Sequence, residues 1–217
     1  MKYFPTLVVD DFLKDPIVLI DYAKTLNYSY PEDFRYPGLR SECLSRLNYN
    51  LFTHIGDLIL SCYGIHHGFS WKASAYYQII DKDYSIGWIH SDSPSVLTSI
   101  IYLSDNLNSG TSMHRNTKFW ESIKNDDIKK SYYKKMSENK CYKINQSEID
   151  AVKENNEPFI ETLNVKALFN RMLSFESSEY HGANDIHNFD DENVRLTLLY
   201  FFDEINVQNN LYPLSKI

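Results

Sequence analysis

The stretch that decides the reading is Gly87-Trp88-Ile89-His90-Ser91-Asp92. An apolar approach followed by a histidine and a carboxylate two positions apart suits the edge of a β-strand, where side chains at i and i+2 leave on the same face. The imidazole of His90 and the carboxylate of Asp92 therefore converge on a single point, as two members of a facial metal triad would.

The third ligand must come from far along the chain. The best-placed candidate is His181, in Ser174-Phe175-Glu176-Ser177-Ser178-Glu179-Tyr180-His181-Gly182. Two histidines and one carboxylate that leave the opposite coordination face open are the ligand set of non-haem Fe(II) oxygenases. Farther on, Arg195-Leu196-Thr197-Leu198-Leu199-Tyr200-Phe201-Phe202 reads as an apolar strand with one guanidinium set into its pattern. A cation in such a place needs an anionic partner.

In chain order, His90-Ser91-Asp92, Ile101-Tyr102-Leu103-Ser104, Gly110-Thr111, His181-Gly182 and Arg195-Leu196-Thr197 resemble the core of the Fe(II)/2-oxoglutarate-dependent dioxygenases. The likeness is to their prolyl-hydroxylase-like branch and its small phage and bacterial relatives. It implies an α+β, mostly β fold: a double-stranded β-helix (jelly-roll, cupin-like) core with N-terminal packing helices and a helical insertion. It also implies roles. His90, Asp92 and His181 would hold Fe(II), and Arg195 would pair with the distal carboxylate of 2-oxoglutarate, which its planar fork suits. Thr197, two residues on and on the same face, would add a hydroxyl to that carboxylate. Tyr102 stands where the family places a tyrosine reaching the same group, and Tyr77 is matched to the tyrosine on the strand before the metal motif. The implied activity consumes O₂ and 2-oxoglutarate, releases succinate and CO₂, and hydroxylates a C–H bond. Asp92 argues against a halogenase, which would have a small residue there to admit halide.

Length and composition set the outer limits. A chain of 217 residues can bury a sizeable core as one domain. Aromatic content of 15% favours strands over disorder. A net charge of −7 argues against a protein that coats nucleic acid or anionic membrane. Cys43, Cys62 and Cys141 have no metal-type spacing, as expected of reduced thiols in the cytoplasm. No signal peptide or apolar run long enough to span a bilayer stands out.

Along the chain, Thr6 to Val9 reads as a short strand. Asp15-Pro16 opens a helix to about Leu26, with Pro at its first position and Leu19, Ala23 and Leu26 on one face. Tyr36-Pro37-Gly38-Leu39-Arg40 is a turn followed by an arginine that is a candidate substrate contact, although most such arginines are solvated. Leu44 to Cys62 reads as one further helix, with Leu47, Leu51, Ile55, Leu58 and Ile59 near a 3.6-residue period. His54 belongs to its surface, and the adjacent His66 and His67 diverge in a Gly-flanked turn. Phe69 to Ile80 and Val96 to Leu103 read as strands, and Asp105 to Gly110 has the composition of a hairpin turn. Thr111, Met113 and Arg115 should share a face of the returning strand, with His114 on the other, at the pocket mouth. About residues 118–156 form a charged, largely helical insertion whose face is solvated or covers substrate. Phe159 to Val165 and Arg171 to Phe175 are strands re-entering the core, Asp185 to Asn193 is a polar loop, and Val207 to Ile217 is a tail.

Peptidyl side chains or free small molecules are the expected substrates, and nothing resembles a single-strand-binding stripe. Two alternatives stay open: a cupin-type metalloenzyme without 2-oxoglutarate, against which Arg195-Leu196-Thr197 speaks, and a non-catalytic jelly-roll module, against which the full ligand set speaks.

Overall fold

The structure, a computed structural model, describes residues 4–30, 36–80, 87–117, 134, 146–184 and 194–207. Two antiparallel sheets face each other. The larger has seven strands: β1 (Leu7–Val9), β2 (Tyr28–Ser29), β3 (Leu39–Ser41), β4 (Phe69–Ile80), β5 (Leu97–Tyr102), β8 (Met172–Glu176) and β10 (Arg195–Val207). Their order is β1-β8-β5-β10-β4-β3-β2. The smaller contains β6 (Asn106–Asn116), β7 (Phe159–Ala167) and β9 (Tyr180–Asn184), in the order β7-β6-β9. This is a jelly roll with helices on one outer face, as the sequence predicts.

Strand alternation explains why the larger sheet is buried on both sides. On β10, Leu198, Tyr200 and Phe202 point to the helices, while Leu199 points to the smaller sheet. A run apolar at every position is the pattern of a strand covered on both faces. The helix-side core joins these residues to Leu19 and Ala23 of α1 (Pro16–Lys24) and to Phe52, Ile55 and Ile59 of α3 (Tyr49–Ser61). The Tyr200 hydroxyl donates to the Phe52 carbonyl at 2.9 Å, which tethers α3 to the sheet. Ile100, Tyr102, Met113, Val165, Leu173 and Phe175 fill the space between the sheets.

Three details depart from the sequence reading. The helix expected from Leu44 to Cys62 is broken into α2 (Leu44–Leu47) and α3. Asn48 leaves helical geometry (φ −154°, ψ 88°) and its side chain caps α3 by accepting from the Leu51 N–H at 3.0 Å. Capping by Asn competes well with helix continuation, and Leu47 is left exposed rather than on the packed face. The segment from Asp105 to Gly110 is not a hairpin back along β5: the chain crosses to the smaller sheet, where β6 pairs with β7 and β9. The third concerns Arg115 and His114. A register shift at Met113/His114 separates Arg115, which is exposed, from Thr111 and Met113, which are buried.

The charged insertion ends in α4 (Gln146–Asn156), close to where its end is expected. The rest of that insertion (118–133 and 135–145), Cys141, the 185–193 loop and the tail from 208 lie outside the described residues. Cys43 and Cys62 are free thiols. No described helix is long and apolar enough to cross a membrane.

Candidate metal centre

The segment bearing His90 is a single bridge rather than a strand: the His90 N–H donates to the His181 carbonyl (2.9 Å) and the His181 N–H to the His90 carbonyl (2.8 Å). This adds a fourth, one-residue rung beside β9. Two residues later the Asp92 N–H donates to the Ser177 carbonyl at 2.8 Å. These hydrogen bonds hold the ends of two distant stretches together. Gly87 is needed for the approach, because a Cβ there would lie 1.8 Å from the Ala183 carbonyl oxygen of β9.

His90, Asp92 and His181 meet with their ligand atoms all within 4.8 Å of one another. The His181 Nε2 is 3.3 Å from Asp92 Oδ2 and the His90 Nε2 is 3.6 Å from Asp92 Oδ1. Neighbouring corners of an octahedron with bonds of about 2.1 Å are about 3 Å apart, so a small contraction suits a divalent ion. Both imidazoles are already oriented. The Nδ1 atoms face the carbonyls of Trp88 (2.9 Å) and Glu179 (3.1 Å), where each carries the proton and leaves Nε2 with its lone pair for a metal. The Thr98 hydroxyl donates to Asp92 Oδ2 at 2.9 Å and pairs with Ser177 at 2.8 Å. Burial on its own would raise the Asp92 pKa, but His181 and His90 in their charged form and the Thr98 hydroxyl together hold it well below the usual carboxylate range, and a cation taking the place of the Nε2 protons would act in the same direction. Asp92 is thus a carboxylate fit to ligate.

The triad opens into a pocket between the sheets whose walls include Ile80, Ile100, Leu199 and Phe201. Arg195, Thr197 and Thr111 line its depth. Arg195 is 4% exposed, and its Nε and Nη1 are buried without a hydrogen-bond partner. Burial pushes its pKa down and the adjacent Tyr102 opposes that. Tyr102 is fully buried, its ring centre 5.6 Å from the guanidinium carbon and its hydroxyl donating to Thr111 Oγ1 at 2.8 Å. A buried guanidinium with idle donors needs an anion, and a carboxylate of 2-oxoglutarate fits that need, with the Thr197 side chain beside it.

Tyr77 does not share this pocket, contrary to the expectation from the sequence. Its pairing with Leu198 across β4 and β10 turns it to the helix side, where it is fully buried in the core against the Tyr22 ring. The residues that reach the pocket from β4 are Gln78, paired with Thr197, and Ile80, paired with Arg195. The parity was legible: Phe69, Trp71, Ala73, Ala75 and Tyr77 are apolar or aromatic, whereas Ser70, Lys72, Ser74 and Gln78 alternate with them. His114 is also absent from the pocket lining and sits opposite Tyr180 and Glu161 on the neighbouring strands.

A family model described as a family of unknown function, DUF6445, matches residues 2–202. The chain belongs to DUF6445. A search of curated proteins finds no match. Among solved structures, this DUF6445 protein is similar to HygX from Streptomyces hygroscopicus with nickel and 2-oxoglutarate bound. That match has 12% identity and TM-score 0.55 and covers 91% of this chain and 82% of that one. It is also similar to SnoN, a non-haem α-ketoglutarate-dependent epimerase from nogalamycin biosynthesis (12% identity, TM-score 0.52, 91% and 76% covered). A third is SnoK, a carbocyclase of the same biosynthesis (10% identity, TM-score 0.53, 91% and 78% covered). At these identities the likeness establishes the fold: the DUF6445 chain has the jelly-roll fold of the 2-oxoglutarate-dependent oxygenases.

Two supports of the DUF6445 site were not found from the sequence. Thr98 carries no signal beyond its place in an apolar strand. At the end of α4, Asn156 accepts from the Ile89 N–H (3.1 Å) and donates to the Gly87 carbonyl (2.8 Å), while Asn155 donates to the Ile89 carbonyl (3.2 Å). The pair Asn155-Asn156 was readable only as a helix end.

Proposed function

We propose that this DUF6445 protein is an Fe(II)- and 2-oxoglutarate-dependent dioxygenase that hydroxylates a small molecule or a peptidyl side chain. The observation that carries the reading is Arg195, a buried guanidinium with unpartnered N–H groups, in the same pocket as a His-Asp-His triad. A metal site alone would have no use for it.

His90 Nε2, His181 Nε2 and one oxygen of Asp92 would hold the iron. Thr98 keeps Asp92 Oδ2 engaged, which fixes the carboxylate plane as the two backbone carbonyls fix the imidazoles. Arg195 would hold the distal carboxylate of 2-oxoglutarate with two parallel N–H bonds, and Thr197 would add its hydroxyl. When bound, iron and co-substrate together reduce O₂, one oxygen atom passing into succinate as CO₂ leaves and the other into a substrate C–H bond. Ile80, Ile100 and Leu199 keep bulk water from the reacting atoms.

A small-molecule substrate is the preferred half of this reading. HygX has been solved with hygromycin B bound and SnoN with nogalamycin RO, both free small molecules. The test is formation of succinate from 2-oxoglutarate by the iron-loaded protein without added substrate. Slow, iron-dependent succinate release that disappears in His181→Ala and Arg195→Gln is expected. Release that persists in both variants, or none from protein saturated with iron and co-substrate, would overturn the assignment.

A further inference from the structure

Arg40 enters the same pocket from another strand. The turn before it is tightly docked: Gly38 has φ +72°, and a Cβ there would lie 2.2 Å from the Ile79 carbonyl oxygen of β4. The Gln78 amide donates to the Pro37 carbonyl at 2.7 Å. Arg40 pairs with Gln78, which on its other side pairs with Thr197. Arg40, Gln78 and Thr197 therefore form one row across β3, β4 and β10, with Arg40 and Thr197 anchored about 10 Å apart.

The guanidinium carbon of Arg40 lies 3.5 Å from the centre of the Tyr36 ring, 5.3 Å from that of Phe201 and 5.6 Å from that of Tyr76. Stacking uses the face of the guanidinium and leaves its in-plane N–H bonds for a ligand. Its Nε is buried with no hydrogen-bond partner, and among the described residues it makes no ion pair. Arg40 lines the same pocket as His90, Asp92 and His181, and the Asp92 carboxylate acts on it electrostatically.

Charge counting points to what it binds. The charged groups among the described lining residues are Arg40, Asp92 and Arg195. The charges of a divalent iron and of dianionic 2-oxoglutarate cancel, and Asp92 offsets one arginine, which leaves one positive charge among the described lining groups, most of whose neighbours are apolar. We propose that Arg40 recognises a carboxylate on the substrate, and that the substrate class is a small monocarboxylate whose apolar body lies against Ile80, Ile100 and Phe201. The proposal rests on the 2-oxoglutarate reading above.

The experiment uses nickel-loaded protein with saturating 2-oxoglutarate and follows the thermal midpoint and calorimetric binding. The probes are simple monocarboxylates of graded size, from acetate through benzoate to phenylpropionate, each paired with its neutral amide. At least one acid should bind while its amide does not. Arg40→Gln should weaken that acid by about ten-fold or more, with 2-oxoglutarate affinity unchanged, whereas Arg195→Gln should lose 2-oxoglutarate instead. Arg40→Lys keeps the charge without the planar stack and should recover only part of the binding. Far-UV circular dichroism and the retained 2-oxoglutarate affinity report that the Arg40 variants are folded.

Loss of 2-oxoglutarate binding in Arg40→Gln would overturn the proposal, because Arg40 would then serve the co-substrate. Acids that bind no better than their amides, or equally well to Arg40→Gln, would also overturn it. If wild-type protein fails to bind 2-oxoglutarate, the failure is that of the functional reading. The same titration without nickel or 2-oxoglutarate then decides for Arg40: acid binding that depends on it sustains the anion site, and its absence removes that too.

Discussion

At the scale of single residues, the site depends on groups that hold the ligands as much as on the ligands themselves. Thr98 is the clearest of these, because its hydroxyl bonds the Asp92 oxygen nearer His181. Thr98→Val keeps the shape and removes that bond, and metal affinity should fall by about 10- to 100-fold. Calorimetric titration with Ni(II) checks this, and unchanged affinity would mean Thr98 does not orient Asp92. Tyr77 makes the opposite point. Its hydroxyl is buried without a partner, so Tyr77→Phe should leave 2-oxoglutarate binding intact and raise stability by up to about 1 kcal/mol. Loss of co-substrate binding in that variant would restore the role expected from the sequence. His90, Asp92 and His181 were legible because metal ligands need particular atoms, and few residue types supply them. Thr98 was not, since a hydroxyl in a strand looks alike whether it faces solvent or a carboxylate.

At the scale of elements, the His90 segment is held by partners on both sides. β9 bonds it through the His90–His181 bridge, and the end of α4 bonds it through Asn155 and Asn156. Asn156→Ala strips partners from the Ile89 N–H and the Gly87 carbonyl and should cost about 1–3 kcal/mol in a denaturant melt, with weaker metal binding. A neutral result would show that the helix does not support the metal segment. Gly87→Ala should be more damaging, because its Cβ would collide with the backbone of β9 rather than with a movable side chain. The helical end of the insertion was readable from composition, but its contact with the metal segment was not, since the two are distant in sequence. The break at Asn48 shows the converse: the 3.6-residue period runs on through a position where the Asn side chain caps a new helix.

At the scale of the whole molecule, the jelly roll places the triad and Arg195 in one pocket between two sheets. The larger sheet brings Arg195, Thr197 and Tyr102 together through the pairing of β5 and β10, and the smaller sheet brings His181 beside the His90 segment. That general layout was readable from the order of the motifs. The crossing of β6 to the smaller sheet was not, because a turn-rich stretch carries no record of which sheet the chain joins next. A ligand that binds only the folded state stabilises it, so metal and 2-oxoglutarate together should raise the thermal midpoint more than metal alone. Binding of 2-oxoglutarate at the triad is tested most directly by anaerobic Fe(II) titration with and without 2-oxoglutarate, watching for the weak visible charge-transfer band of the chelated co-substrate. A band that requires both additions and His90, and that in Arg195→Gln appears only at much higher 2-oxoglutarate, is the expected result. Folded, iron-replete protein that gives no band would contradict it and leave a metal site without 2-oxoglutarate chemistry.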